Sequence, residues 1–451
     1  MTSGLGRRAA VAVAAVWIGL SGATAARAQD PLPLPADTVD ADSLSADSLA
    51  ADSLEAEPLI PPDAWIPSDS LAFPASGDTL GAPFLPGVDA PVETGFPWLL
   101  ELPGWHGLAV EHYNRVDGLT PSWGLALEPL DPVQRPELAA RIAAATTHSR
   151  LYWSGSVRQR LPLPGAIHVR FEHFHRSTTF DDWKVSIQEN DVATLAFASD
   201  LLDWWREKGY ALAFEAETPD GRWGGALAYL DASQHAQRDR SPFALFGANY
   251  RDNPPAVEGD LHSLSAQFQV DTRDIQSPLL PSPGWWLRAD AELAGGVLGG
   301  ELDFRRAAIE LNRFSRFGED VWWNTRAVWM GPLDGDSLPV QRHVMLGGPG
   351  SLRGFRGGSF VDSQGGQISS EVRLPLPVGR RIALLFLSWH WVAFADAGAL
   401  GDYEEWHANV GTGISGVNLL SFVELFVAQR ITDLDEDGSG PRFVVRFRRD
   451  L

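Results

Sequence analysis

Residues 208–216 read KGYALAFEA, and residues 264–270 read LSAQFQV. In the first, Tyr210, Leu212 and Phe214 alternate with Ala211, Ala213 and Glu215. In the second, Leu264, Ala266, Phe268 and Val270 alternate with Ser265, Gln267 and Gln269. A period of two means a strand with one apolar face and one wet face. The pattern repeats at Ile167, Val169 and Phe171 and again at Ile368, Val372 and Leu374. Strands of a soluble sandwich are usually about 5–6 residues long. Many runs here reach the roughly 9–11 residues that a tilted strand needs to cross a bilayer.

Sixteen such runs are expected, near 105–115, 122–130, 138–148, 150–161, 165–176, 208–218, 222–233 and 260–271 in the first half. The second half supplies 284–294, 302–313, 320–331, 366–376, 387–396, 407–416, 420–429 and 441–449. Strand parity then puts long connections at 177–207, 234–259, 331–365 and 430–440 on one side, which becomes the outer side if the N-terminus is periplasmic. Tight turns at 161–165 and Pro219-Asp220-Gly221 fall on the other, as in exported barrels. Tryptophans at the run ends (Trp98, Trp105, Trp153, Trp204, Trp205, Trp285, Trp286, Trp322 and Trp323) suit the aromatic belts of a membrane interface. The fold class that follows is all-β: a transmembrane antiparallel β-barrel of sixteen strands behind a disordered N-terminal tether.

Composition excludes much else. The 451 residues include no Cys, which removes a disulfide framework, a thiolate metal site and a cysteine nucleophile. A net charge of -22 makes nucleic acid an improbable partner, because phosphate neutralisation needs clustered Lys and Arg. Lysine occurs only at Lys184 and Lys208. Residues 1–28 read as a signal peptide: Arg7 and Arg8, an apolar centre at 9–20, and Ala26-Arg27-Ala28 for cleavage. Residues 29–100 hold 13 acidic residues, 12 prolines and no Lys or Arg, with tandem pentads ADTVD-ADSLS-ADSLA-ADSLE at 36–55. So little apolar surface cannot offset the ordering entropy, so this stretch reads as a periplasmic tether, and its acidity allows a basic periplasmic partner. The barrel is assigned to residues 101–451.

Two glycine-flanked motifs mark the last third. One is LGGPGSLRGFRGGSF at 346–360, containing Arg353-Gly354-Phe355; the other is Phe394-Ala395-Asp396-Ala397-Gly398. With Asp271-Thr272-Arg273 and GGQISSEVRLPLP at 365–377, they resemble the bacterial surface antigen barrels, the superfamily of BamA/TamA insertases and two-partner-secretion transporters. A long Gly-rich loop that folds its arginine into a barrel must pair that charge, since an isolated buried ion is costly. Parity turns Glu371 and Asp396 inward. The resemblance implies that Arg353 is latched to these two carboxylates, that Gly354 permits the turn, and that Phe355 packs the loop tip. It also implies an outer-membrane location and client outer-membrane or secreted proteins as partners, beside lipid, with no cofactor and no enzymatic chemistry.

Two departures from the family pattern stand out. Family members that handle clients usually carry periplasmic POTRA domains before the barrel, and the 72 residues of 29–100 have the wrong composition for one. Phe443, Val445 and Phe447 alternate as in a barrel-closing strand, but the chain continues through Arg448-Arg449-Asp450-Leu451. Asp433, Asp435, Asp437 and Gly438 begin a calcium-loop pattern that ends in Val444 where Glu is needed. His173 and His175 share a strand face without a third ligand nearby, so no metal site is expected. The function expected is insertion or translocation of proteins at the outer membrane. The rival is a barrel acting as a pore, structural envelope protein or oligomeric scaffold.

Overall fold

The computed structural model describes residues 97–447, apart from residues 241, 248, 274–281, 319–320, 336, 377–387, 418–422 and 435–439. The signal peptide and nearly all of the tether lie outside the described residues. The wall opens with a short β1 (Trp98–Glu101), followed by β2 (Leu108–Asn114), β3 (Gly118–Pro129), β4 (Glu137–Ala145), β5 (Arg150–Arg160) and β6 (Ala166–Thr178). After a helix α1 (Ile187–Phe197) come β7 (Trp205–Glu217), β8 (Trp223–Ala236), β9 (Gly259–Asp271), β10 (Gly284–Ala294), β11 (Phe304–Phe317) and β12 (Val321–Pro332). A two-stranded hairpin, β13 (Val344–Leu346) with β14 (Phe360–Asp362), interrupts the wall. The wall resumes with β15 (Gly365–Pro375), β16 (Ser388–Leu400), β17 (Trp406–Val417), β18 (Val423–Arg430) and β19 (Arg442–Phe447).

From β2 to β12, and then from β15 to β19, each strand pairs antiparallel with the next, and β12 pairs with β15 across the hairpin. This is the sixteen-stranded meander that the alternation predicts, and it forms a transmembrane barrel. Outward residues such as Ile142, Leu151, Phe171, Phe214, Leu227 and Phe268 are exposed apolar side chains. A continuous apolar skin of this kind is unfavourable in water and favourable against lipid. Inward positions carry charges instead: Glu292, Arg306, Arg373, Glu371, Asp396 and Glu424 are all buried. Thr218–Arg222 closes the β7–β8 turn, with Gly221 at φ +65 and its N–H donating to the Thr218 carbonyl. The long connections, 179–204, 237–258 and 333–364, all leave from the opposite end.

Two expectations need correction. The boundary at residue 101 falls inside a strand, because Trp98–Glu101 pairs with Pro129–Ala126 of β3, and Trp98 Nε1 donates to the Pro136 carbonyl at 2.9 Å. Nor do all the strand-end tryptophans join a belt. Trp204, Trp205 and Trp322 are buried inside. Trp204 stacks on His112 and donates to Asp200, while Trp205 lies under the Arg342 guanidinium. Parity explains the difference: Trp322 points in, whereas its neighbour Trp323 points out and donates to Ser370.

Candidate functional site

The hairpin β13–β14 belongs to a connection that folds into the barrel, where Arg353 sits almost fully buried. Its Nε and Nη2 donate to the two oxygens of Asp396 at 2.9 and 2.8 Å, and its Nη1 donates to Glu371 Oε2 at 2.8 Å. The backbone N–H of Arg353 also reaches Asp396 Oδ2. A planar fork fills a bidentate carboxylate in this way, and a lysine has no equivalent geometry. The ring of Phe394 lies 3.4 Å from the guanidinium carbon, and Phe426 closes the far side. Burial favours loss of the proton, but Asp396 and then Glu371 outweigh it and hold the guanidinium above its ordinary value.

Each carboxylate has a further partner. Arg373 donates to Glu371 at 2.6 Å, to Glu424 at 2.8 Å and to Ser415 at 3.0 Å. Asn409 donates to Asp396 at 2.9 Å. The network therefore crosses β15, β16, β17 and β18. Phe355 is buried against Phe360 and His407, with Arg430 over its ring and Arg430 Nε donating to the Gly354 carbonyl. Gly354 has no left-handed backbone; a Cβ there would stand 2.7 Å from Asn409 Cβ. Close approach to the wall, and not a turn, is what requires glycine. Gly398 plays a similar part, since a Cβ there would meet Leu346 at 2.9 Å. Phe443 and Val445 face outward on β19, opposite Val427 and Leu425, and Phe447 pairs with Val423. Part of the Asp433–Gly438 segment lies outside the described residues. His173 and His175 point outward, where His173 packs on Trp153.

Sequence reasoning missed three further anchors. Glu292 on β10 accepts from Arg306 Nε at 2.7 Å and from Arg342 Nε at 3.0 Å, and Arg342 lies just before β13. The long connection is thus tied to two separate stretches of wall, to β10 by Arg342 and to β15 and β16 by Arg353. Arg115, after β2, reaches Asp203, Asp239, Asn253 and the Leu202 carbonyl, drawing together two other connections. The third anchor is α1. Glu189 accepts from Arg446 Nε and Nη2 at 3.1 and 3.2 Å on β19, while Asp191 lies beside His112 and the Tyr113 N–H on β2. One helix therefore touches both the first and the last strand of the meander. A bulge between Val110 and Tyr113 opens β2 at this height. Burial pushes the Asp191 carboxyl up to about 8. An inward acid within the alanine-rich 289–294 run was the one available signal for Glu292.

Residues 231–417 match the Omp85 superfamily domain, which takes in Arg353, Glu371 and Asp396. No curated protein matches the sequence significantly. Among solved structures, BamA from Haemophilus ducreyi lacking POTRA domains 1–3 aligns with a TM-score of 0.52 and 13% identity, over 74% of this chain and 67% of that one. CdiB from Acinetobacter baumannii aligns at TM-score 0.40 and 12% identity, over 75% of this chain and 58% of that one. CdiB from Escherichia coli gives 0.43 and 14%, over 77% and 63%. The chain spans about two thirds of the BamA structure and less of the two CdiB structures. Residues 231–417 thus carry the sequence pattern of an Omp85 superfamily domain, in a chain whose fold is similar to that of the BamA barrel.

Proposed function

We propose that this barrel assists insertion or translocation of proteins at the outer membrane, working at the seam where β2 and β19 end the meander. The observation that carries the reading is α1, which holds β19 through Glu189–Arg446 and lies against β2 through Asp191. A seam held by side chains of a loop helix opens when that helix shifts. The wall on either side need not unfold. An exposed edge strand then offers unpaired N–H and C=O groups to an incoming strand. The Arg353 latch keeps the long connection seated in the lumen while this happens. In this reading the chain works without a cofactor, the long connections face outward, and the acidic tether lies in the periplasm.

Depletion of the chain should lower the levels of other outer-membrane barrels or exported proteins. The cysteine-free sequence allows a sharper version: Glu189→Cys with Arg446→Cys, bridged by a bismaleimide, should reproduce the depletion. Unchanged levels in both experiments overturn the proposal. They favour the second reading, a structural envelope barrel or oligomeric scaffold, which the dense ion pairing of the lumen also suits.

A further inference from the structure

Strands β6, β7, β8 and β9 are 13, 13, 14 and 13 residues long, more than the roughly 9–11 that a tilted crossing requires. Their register shows where the surplus lies. Outward residues fall in rows, and the last fully apolar-bodied row is Phe171, Leu212, Tyr229 and Leu264. Toward the long-connection end the next row is His173, Tyr210, Asp231 and His262. Then come His175, Lys208, Ser233 and Asp260, and finally Ser177, Arg206 and His235. The outer face of the barrel thus changes from apolar to polar and ionisable within one row, at the height where hydrocarbon gives way to head groups.

The charges within these rows are unequal. Asp231 is engaged by the Tyr210 hydroxyl at 2.7 Å and by His262 at 3.6 Å, and Asp260 accepts from Ser233 at 2.6 Å. Lys208 and Arg206 have no carboxylate within ion-pair distance among the described residues. Lys208 is exposed, and Arg206, Lys208 and Arg150 all lie within electrostatic range of His175. Glu258 lies within electrostatic range of Arg206 and His235 too, so in a chain of net charge -22 Arg150, Arg206 and Lys208 form a local excess of cations with one carboxylate at its edge. It also holds the one exposed lysine, because Lys184 is buried against Asp181 at 2.9 Å.

The geometry points to a docking site for the phosphate-bearing head group of a membrane lipid on the outward face of β6–β8, with Arg206 and Lys208 as its principal ligands and His175 and His235 beside them. The lipid chains of such a molecule pass the His173 and Tyr210 rings and continue onto Phe171, Leu212 and Phe214 below them, so one ligand satisfies both the charge and the apolar band. Arg206 and Lys208 stand two residues apart on β7, and His175 and His235 lie one strand away on either side at about 4.8 Å, so the ligands span a width suited to a head group and not to a single point contact. Basic residues at a membrane surface each strengthen attraction to anionic lipid by about fivefold.

The test uses the full chain in neutral dodecyl maltoside micelles, titrated with bisphosphorylated lipid A, with the dephosphorylated lipid, and with inorganic phosphate. Bound lipid is counted by native mass spectrometry, and amine-reactive labelling is read at Lys208. The phosphorylated lipid should bind, protect Lys208 and dissociate as salt rises. Arg206→Gln should weaken it about fivefold, and Arg206→Gln with Lys208→Gln about 25-fold, while the folded band on gels stays unchanged. Equal binding by the double variant or by the dephosphorylated lipid overturns the proposal. So does protection by inorganic phosphate at matching concentration, which would assign the patch to a soluble anion.

Discussion

Replacing Arg353 by alanine tests the interior anchor most directly. The side chain is buried and holds two buried carboxylates, so its removal leaves Asp396 and Glu371 partly unpaired. Breaking a buried ion pair by deleting one partner costs about 3–5 kcal/mol. Two features pull the value to the lower end: Glu371 keeps Arg373 and Asp396 keeps Asn409. Loss of the guanidinium from the face of Phe394 adds roughly 1 kcal/mol. The sum is about 4 kcal/mol, large against the stability of most folded domains. The assay is the midpoint temperature at which the compact, heat-modifiable gel band disappears in detergent. Arg353→Ala should lower it by several degrees. Arg353→Lys should fall between, because a single ammonium cannot serve both carboxylates bidentately. A midpoint for Arg353→Ala within one degree of the parent refutes the reasoning, since the buried carboxylates then cost nothing when left alone.

Three other outcomes follow from the geometry. Gly354→Ala should cost about 1–3 kcal/mol by the same assay, because the added methyl meets Asn409 and the loop must retreat from the wall. Glu292→Gln leaves Arg306 and Arg342 without their shared carboxylate, so trypsin should cut the 333–364 connection faster, with cleavage after Arg342 rising first. Asp191 carries a pH signature. Burial raises its folded value to about 8, above the value of an unfolded aspartate, so the native state holds a proton that the unfolded chain releases. Its contribution is full below about pH 4, falls as pH rises, and is gone above about pH 8. Asp191→Asn should therefore gain stability relative to the parent between pH 5 and pH 8.5. A constant difference over that range speaks against a protonated Asp191.

The wall was legible because lipid on one side and a polar lumen on the other impose the simplest of patterns. Tyr210, Leu212 and Phe214 declare their face by alternation alone, and the parity of Glu371 and Asp396 follows from the same count. That Arg353 meets those two acids came through the resemblance, since no periodicity says where a long loop will fold. The inward, polar face of the helix was illegible for a physical reason. Glu189, Asn190, Asp191 and Thr194 are buried while Val192, Leu195 and Phe197 are exposed, the reverse of a helix on an apolar core. A polar lumen inverts the usual rule. The tryptophans failed differently: ring size suits both a lipid interface and an interior contact, and only strand parity separates Trp322 from Trp323. Glu292 and Arg342, 50 positions apart, are joined by tertiary structure alone.

The clasp between Glu189 and Arg446 joins residues 257 positions apart. Neighbouring wall strands pair in sequence order, β15 with β12 across the inserted hairpin, so their hydrogen bonds run along the meander while this clasp reaches across its two ends. The segment carrying Glu189 must lie in the interior for the Arg446 of the final strand to meet it. The vessel is built around its own stopper, and a chain cut short before residue 446 is left as an open arc whose hairpins are sound but whose bung has nothing to grip.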